Sequence, residues 1–308
     1  MIQVRNLRVD YDEVCAVHDL SLEVGPGEIY GLIGPNGAGK TSTLRALVGL
    51  VEATYGDILI GGFDLDHHRE QAVGLVGFMP DSAPVYDDLT VWEFLDLFAA
   101  AYRLPPDRRE AVIAEHLQLV DLTEKRDAMT AQLSRGMKQR LMLAKTLLPD
   151  PQVLLLDEPA SGVDPHGRAL LKQVLRDLGQ AGKTIIISSH ILSELSEFCT
   201  SVGVMQKGDL VVSGTVADVA VRVMGRARVI LDVIGDPSPA VAVLAADPRV
   251  SEPVWQDSRC TLALDGDAEQ ASELLAALVT AGVRVASFAR EKEDLEALFL
   301  KIGAREVS

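Results

Sequence analysis

Residues 34–41 of this chain read Gly34-Pro35-Asn36-Gly37-Ala38-Gly39-Lys40-Thr41, and they indicate its fold more strongly than any other segment. It fits the phosphate-binding loop pattern, in which two glycines flank the loop and a Lys-Thr pair opens a helix. Residues 28–33, which precede the loop, form an apolar run typical of a strand, and residues 42–48 have helical spacing. The required strand, loop and helix are therefore all predicted. A glycine-rich turn without a ligand is the alternative interpretation.

The residue types in this loop suit a polyphosphate. Glycines let consecutive backbone N–H groups turn toward one polyanion, and the start of the helix adds a favourable dipole. We expect Lys40 to reach the β- and γ-phosphates of a nucleotide and the Thr41 hydroxyl to bind Mg²⁺. The residues predicted to surround the phosphates are Asn36, Gly37, Ala38, Gly39, Lys40, Thr41 and Ser42. The loop alone specifies neither the nucleotide nor the reaction.

A second phosphate-handling element lies downstream, Val153-Leu154-Leu155-Leu156-Asp157-Glu158. Four apolar residues followed by two carboxylates predict a buried strand that ends where open α/β sheets bind ligands. Asp157 is suited to hold Mg²⁺, directly or through water, and Glu158 to polarise an attacking water as a general base. A buried strand ending in a solvated acidic turn is the alternative. A guanine-nucleotide switch protein is excluded, because its Asn-Lys-x-Asp element is missing.

Between these elements lies Leu133-Ser134-Arg135-Gly136-Met137-Lys138-Gln139-Arg140. With this third motif the chain resembles the nucleotide-binding subunits of ABC transporters over about residues 2–221. The stretch is similar to the family's signature motif: Ser134 and Gly136 match, and Arg135 and Met137 replace the usual Gly and Gln. This form resembles a variant of exporter ATPases. The resemblance implies that Ser134 and Gly136 cap the γ-phosphate bound by another subunit, with the positive end of the following helix pointing at it. An ordinary helix start capped by Ser134 is compatible with that role.

The same resemblance implies further site residues. Residues 160–165 match the D-loop, which brings Asp164 between the two sites of a dimer. His190, after the apolar residues 183–189, is similar to the switch histidine that contacts the γ-phosphate. Tyr11 is placed like the aromatic residue that stacks on adenine, although a plain packing role remains open for it.

One position departs from the family pattern, because Asp81 stands where the Q-loop usually carries glutamine. A carboxylate can accept a hydrogen bond from Mg²⁺-bound water but cannot donate one. We therefore expect Asp81 to sense the metal-bound γ-phosphate. When the site closes, we expect Asp81 to transmit that change to residues 86–92.

Composition supports a globular chain of two domains. The chain has 308 residues, 48% of them hydrophobic, and a net charge of −16, which argues against nucleic-acid binding. No apolar run approaches the roughly 18 to 20 residues of a membrane span, and residues 1–6 lack a signal-peptide core. Cys15, Cys199 and Cys260 are scattered, which suits a reducing cytoplasm.

Residues 87–146 occupy the place of the family's helical lobe. Helices are predicted from the apolar stripe at 91–99 and from Pro105 onward to residue 119. Trp92, Phe94 and Phe98 are predicted to be core residues or to line a groove for a permease helix. The domain has no long heptad insertion, which argues against chromosome-clamping relatives. A single set of motifs argues against the tandem ATPases that act on ribosomes.

Beyond residue 221 the character changes to short strands alternating with helices. The order is a strand at 228–235, a helix at 239–246, strands at 250–256 and 260–264, a helix at 268–281 and a strand at 283–289. This β-α-β-β-α-β order suggests a small ferredoxin-like domain. A final helix at 292–302 resembles the terminal helix of many exporter ATPases. Dimer support or regulation is the expected role, and ligand sensing remains open.

The sequence therefore predicts an α/β P-loop NTPase domain of the ABC type over residues 1–221 and an α+β ferredoxin-like domain over residues 222–308. We expect an ATPase that forms a homodimer around two Mg·ATP and drives a separate membrane permease, with a preference for export. Such a subunit would lie at the cytoplasmic face of the membrane, held by its permease. A soluble ATP-switched regulatory or mechanical ATPase is the alternative. The two share every nucleotide motif.

Overall fold

The computed structural model describes residues 1–82, 84–191, 195, 197–219, 227–266 and 268–290. The chain divides into two compact units, Met1–Val219 and Ala220–Ser308. The predicted domain boundary at residue 221 falls outside the described residues, as does the predicted helix at 292–302. No helix in the described part of the chain has the length and hydrophobicity that crossing a membrane requires.

The first unit contains the following strands and helices, for which the bounds are described. The strands are β1 Ile2–Tyr11, β2 Val14–Val24, β3 Ile29–Ile33, β4 Tyr55–Ile60, β5 Phe63–Asp64, β6 Val76–Met79, β7 Val153–Asp157, β8 Thr184–Ser189, β9 Ser201–Gln206 and β10 Asp209–Thr215. The helices are α1 Lys40–Leu47, α2 Arg69–Gly74, α3 Val91–Ala101, α4 Pro106–Leu119, α5 Arg135–Leu147 and α6 Pro165–Gln180. Short 3₁₀ turns occupy Thr123–Lys125 and Thr130–Gln132.

A six-stranded sheet forms the centre of this unit, in the order β10-β9-β3-β8-β7-β6. From β9 to β6 every neighbouring pair is parallel, and β10 pairs with β9 in the antiparallel sense. Every residue of β3, β7 and β8 is buried, which explains their continuous apolar sequences. The carboxyl ends of these three strands therefore meet at one edge of the sheet, where a ligand can bind.

A second sheet, antiparallel and ordered β2-β1-β4-β5, shares its core with the first. Leu44 and Leu47 of α1 belong to the same buried cluster as Ile2 of β1 and Leu155 of β7. The helix that follows the glycine-rich loop is thus packed against both sheets. This packing fixes the direction in which the start of α1 points.

Helices α3, α4 and α5 contact one another and form the helical lobe expected from the sequence. A capping box begins α3: the Thr90 hydroxyl accepts a hydrogen bond from the Glu93 N–H at 3.2 Å, and the Glu93 carboxylate accepts one from the Thr90 N–H at 2.8 Å. Phe94 is fully buried, so it is a core residue. Phe98 instead lines a groove of about 580 Å³ with Tyr86 and Lys145.

The second unit contains β11 Ala227–Val233, α7 Ser238–Ala246, β12 Val250–Gln256, β13 Arg259–Leu264, α8 Ala268–Thr280 and β14 Val285–Arg290. Its four strands are ordered β12-β13-β11-β14, with every neighbouring pair antiparallel. Strand β13 thus lies between β11 and β12, which is the split β-α-β arrangement of a ferredoxin-like domain. Alternate residues of β11 and β13 build its core with residues of both helices, such as Leu244 and Leu274.

Candidate functional site

The glycine-rich loop has the conformation that its sequence requires. Helix α1 begins at Lys40, and Gly39 just before it is left-handed, with φ 102°. A Cβ on Gly39 would lie 2.5 Å from the carbonyl oxygen of Ala16, and a Cβ on Gly34 only 2.3 Å from that of Met205. No larger side chain fits at either position. The loop therefore lies close against neighbouring backbone, with its N–H groups gathered at the start of α1.

Lys40 is held inside this loop. Its side chain is only 6% exposed, and its ammonium group donates hydrogen bonds to the carbonyl oxygens of Gly34 at 2.7 Å and Pro35 at 3.2 Å. The same Nζ lies 3.6 Å from Oε1 of Glu158. A buried cation needs such partners because burial deprives it of water. The loop therefore carries a positive charge at its centre, next to the carboxylate at the end of β7.

The end of β7 is tied to β8 by one serine. The parallel register places Asp157 beside Ser188, whose hydroxyl donates a 2.6 Å hydrogen bond to Oδ1 of Asp157. The hydroxyl oxygen of Ser188 in turn accepts a 3.0 Å hydrogen bond from the backbone N–H of Glu158. Asp157 is 1% exposed, so the solvated acidic turn considered from the sequence is not what the structure contains. Ser188 was not predicted as a site residue, because only the strand register brings it next to Asp157.

The carboxylate of Glu158 lies between the ammonium group of Lys40 and the imidazole of His190. Its Oε2 is 2.9 Å from Nδ1 of His190, and its Oε1 faces the Lys40 ammonium. Glu158 is 15% exposed, whereas His190 is 51% exposed. Three parallel strands, β3, β7 and β8, thus deliver a cation, a carboxylate and an imidazole to one point. Such a group can bind a phosphate and exchange a proton with water beside it.

A single cleft of about 490 Å³ brings most of the predicted residues together. Its predicted lining residues are Tyr11, Asn36, Gly37, Ala38, Gly39, Lys40, Thr41, Ser42, Asp81 and Glu158. Tyr11 lies at the end of β1 and is 39% exposed, so its ring is accessible to a ligand. Val14, Cys15, Ala16 and Lys207 also line the cleft and were not predicted. Lys207 follows β9, and no sequence motif marks it.

The donor atoms near this cleft fit a magnesium ion that accompanies a nucleotide. The candidate ligands are the Thr41 hydroxyl and the carboxylates of Asp157 and Asp81. In the part of the chain that is described, no group of three or more His, Cys, Asp or Glu residues could hold a metal by itself. Mg²⁺ prefers oxygen ligands and commonly takes one or two from the protein and the rest from phosphates and water. The three candidate side chains carry donors of the type that such a shared site requires.

The signature residues lie on a separate surface, which we call the signature surface and define by Ser134, Arg135 and Gly136. The hydroxyl of Ser134 caps α5 by accepting a 3.2 Å hydrogen bond from the N–H of Met137. Gly136 is buried, and a Cβ added to it would lie 3.3 Å from Cα of Val163. None of the three lines the cleft that contains Lys40. The predicted site residues therefore form two groups within one chain.

Asp164 lies beside the signature surface, at the start of α6. Its carboxylate accepts a 2.9 Å hydrogen bond from the Gly167 N–H and so caps the helix. This bond, together with hydrogen bonds from other backbone N–H groups, lowers the pKa of Asp164. Like the signature residues, Asp164 does not line the cleft around Lys40.

Another contact links the Q-loop to α5. The side-chain amide of Gln139 donates a 2.9 Å hydrogen bond to the backbone carbonyl of Asp81. Gln139 is 2% exposed, and its Oε1 has no partner among the described residues. The sequence prediction missed this link, since 58 positions separate the two residues. A displacement of the Asp81 backbone would therefore act, through this hydrogen bond, on the helix that begins with the signature residues.

The chain is similar to several known proteins. The family model described as "ABC transporter" matches residues 17–161. An uncharacterized ABC transporter ATP-binding protein, sll0415 of Synechocystis sp., is 39% identical over 210 residues, covering 67% of this chain. The chain spans only 58% of that relative's length.

Likeness also extends over the whole chain and to a solved structure. The Nod factor export ATP-binding protein I of Rhizobium meliloti is 34% identical over 306 residues, which cover 99% of this chain and 89% of that protein. A structure titled "Structure of ATP binding subunit of ABC transporter" superposes with a TM-score of 0.67 and 31% identity, covering 73% of this chain and 93% of that one.

Proposed function

The chain belongs to the family of ABC transporter ATP-binding proteins, and we propose that it hydrolyses ATP to drive a separate membrane permease that exports its substrate. The observation that carries this proposal is the position of Glu158, between Lys40 at 3.6 Å and His190 at 2.9 Å. A carboxylate held there can accept a proton from water at the point where the loop cation would hold a γ-phosphate. ATP is the substrate, and adenine would stack on Tyr11 at the mouth of the same cleft.

The predicted residues in and beside the cleft have separate roles in this reaction. Lys40 would exchange the carbonyls of Gly34 and Pro35 for the β- and γ-phosphates, and the loop N–H groups would bind the remaining phosphate oxygens. Glu158 takes the proton of the attacking water, and His190 holds the Glu158 carboxylate in place through Nδ1. Mg²⁺, when bound, offsets phosphate charge. Thr41 and Asp157 would hold it, with Asp81 acting through a bound water.

Two copies of the chain complete two sites in this proposal. The cleft of one subunit would face the signature surface of the other, so Ser134, the Gly136 N–H and the start of α5 would meet the partner's γ-phosphate. Asp164 would lie between the sites. The separation of the two groups within one chain supports this arrangement, and both groups are intact here. A homodimer of head-to-tail subunits therefore suffices, with twofold symmetry.

Export is supported by the whole-length likeness to the Rhizobium protein, whose name refers to Nod factor export. The signature variant with Met137 supports the same direction. We place the chain at the cytoplasmic face of the membrane, bound to its permease. The groove beside Phe98 and Tyr86, between the helical lobe and the sheet, is the surface we assign to that partner.

Replacing Glu158 by glutamine tests the reaction. General base catalysis contributes about 10²- to 10⁴-fold, so Glu158→Gln should lose at least about 100-fold in phosphate release. ATP binding should remain, because the amide has the size of the carboxylate. The closed dimer should therefore accumulate, and size-exclusion chromatography would detect it. Glu115→Gln, an exposed change on α4, is the matched control. Normal hydrolysis by Glu158→Gln would contradict the assignment.

Purification of the chain from gently solubilised membranes tests the partner. A stoichiometric multi-span membrane protein in the eluate is the expected result. Recovery from the soluble fraction alone would instead favour an ATP-switched regulatory protein with the same catalytic site.

A further inference from the structure

Arg135 makes a contact that the sequence motifs do not account for. Its Nη2 donates a 2.9 Å hydrogen bond to the hydroxyl of Ser161, in the D-loop of the same chain. The Arg135 side chain also lies directly over Gly162, where an added Cβ would be 2.7 Å from Cδ and from Nε of the arginine. Gly162 has φ 70°, which favours glycine at this point. Arg135 therefore bridges the start of α5 and the D-loop.

The guanidinium of Arg135 forms no ion pair with the described residues of the chain. The chain has a net charge of −16, so acidic partners are abundant, yet the guanidinium bonds a neutral serine. In the signature pattern that this stretch resembles, glycine usually stands at position 135. Glycine has no side chain with which to reach Ser161. The bridge is therefore a feature of this sequence rather than of the general motif.

The D-loop end of this bridge leads directly to the catalytic carboxylate. The backbone N–H of Ser161 donates a 3.0 Å hydrogen bond to the carbonyl of Glu158. Glu158 itself has φ 47°, a conformation that a non-glycine residue adopts only when its surroundings hold it. Any movement of Ser161 would thus act on the residue whose carboxylate lies between Lys40 and His190. The path from Arg135 to Glu158 consists of two hydrogen bonds and one turn.

We propose that Arg135 is a positioning residue that transmits the state of the signature surface to Glu158 through Ser161. The inference rests on the proposed function, in which the signature surface of one subunit meets the nucleotide of the other. Binding at the partner's site would then set the carboxylate of the chain's own site, which links the two hydrolysis events. Arg135 acts through Ser161 and does not touch the nucleotide itself.

A double-mutant cycle on the full-length protein tests this inference. Arg135→Ala, Ser161→Ala and the double variant are compared in kcat and KM for ATP hydrolysis and in ATP affinity by titration calorimetry with Mg·ATP. Each single change should lower kcat about fivefold, and the double variant should lose no more than either single one, because neighbours in one network are not additive. KM and ATP affinity should stay unchanged. Arg135→Lys should restore part of the lost kcat.

Two results would overturn the inference. A double variant reduced by the product of the single effects, about 25-fold, would show that the two side chains act independently. Weaker ATP binding in Arg135→Ala, with none in Ser161→Ala, would make Arg135 a phosphate ligand instead. Arg108→Ala, an exposed change on α4, is the control for loss of a surface arginine, and the melting temperature of each variant checks folding.

Failure of this inference is separable from failure of the proposed function. Hydrolysis by the unmodified protein and its loss in Glu158→Gln test the function, whatever Arg135 does. If Glu158→Gln is inactive while Arg135→Ala and Ser161→Ala keep full kcat, the function stands and the positioning role of Arg135 is wrong.

Discussion

The cleft around Lys40 and the signature surface differ in how their polar groups are satisfied. Lys40 in the cleft is 6% exposed and Asp157, at the end of β7, is 1% exposed, and each has protein partners at hydrogen-bond distance. On the signature surface, Ser134 and Arg135 are exposed, and the first backbone N–H groups of α5 have no carbonyl partner within the helix. Buried charges need protein partners, whereas exposed donors can be hydrated until a ligand binds. The first region is thus a formed pocket, and the second is the surface that, in the proposed dimer, a second chain would meet.

The largest expected effect comes from removing the positive charge at the centre of the cleft. Lys40→Met removes the ammonium that would bind two phosphates, and charged hydrogen bonds contribute about 1.5 to 3 kcal/mol each. We expect roughly 100-fold weaker ATP binding by titration calorimetry, at 1.4 kcal/mol per factor of ten. Lys207→Met, in the same cleft but exposed, should weaken binding less than about threefold. Equal effects of the two changes would show that Lys40 acts only through the general field of the cleft.

A change on the signature surface should affect turnover rather than binding. Ser134→Ala removes a helix cap, costing about 1 kcal/mol of stability, and the hydroxyl proposed to bind the partner's γ-phosphate. We expect about tenfold lower hydrolysis and unchanged ATP affinity of the isolated chain. Ser134→Thr keeps a hydroxyl and should behave like the unmodified protein. A loss of ATP affinity in Ser134→Ala would place the signature within the chain's own cleft.

The mouth of the cleft should give a smaller effect. Tyr11→Ala removes the ring proposed to stack on adenine, an interaction of about 1 kcal/mol where the ring is partly exposed. ATP affinity should fall about fivefold, with kcat nearly unchanged. Tyr11→Phe keeps the ring and is the control. A packing role would instead lower the melting temperature of Tyr11→Ala and leave affinity unchanged.

The smallest expected effect concerns the cap beside the signature surface. The hydrogen bond from Gly167 lowers the pKa of Asp164, so the folded state favours the carboxylate more than the unfolded state does. This stabilisation is present above the ordinary pKa of 3.8 and is lost as the pH falls through the lowered value. Asn caps helices as well as Asp but does not titrate, so Asp164→Asn should lose less stability than the unmodified protein between pH 6 and 3.

Urea unfolding at both pH values measures the difference in stability between Asp164→Asn and the unmodified protein. Asp107→Asn, in the first turn of α4, is the matched control. An equal decline with pH in the two proteins would show that the Asp164 cap does not contribute.

Local rules made much of the fold predictable. The helix at Lys40–Leu47, the capped helix at Val91–Ala101 and the buried strand at Val153–Asp157 follow from residues adjacent in sequence. Strand bounds in the second unit were less accurate: a strand was expected from Val283, but β14 begins at Val285. Val283 is 7% exposed and packs into the core from the preceding turn, so its hydrophobicity reflects burial and not strand pairing.

The loop around Lys40 and the strand that ends at Asp157 follow from local sequence, because glycine spacing and continuous apolar runs act within a few residues. The contacts of Ser188 with Asp157, of Gln139 with Asp81 and of Arg135 with Ser161 arise only in the folded chain. Each joins residues at least 26 positions apart, whose meeting depends on strand register and helix packing. A local pattern cannot encode these distances, since they result from the arrangement of the whole core.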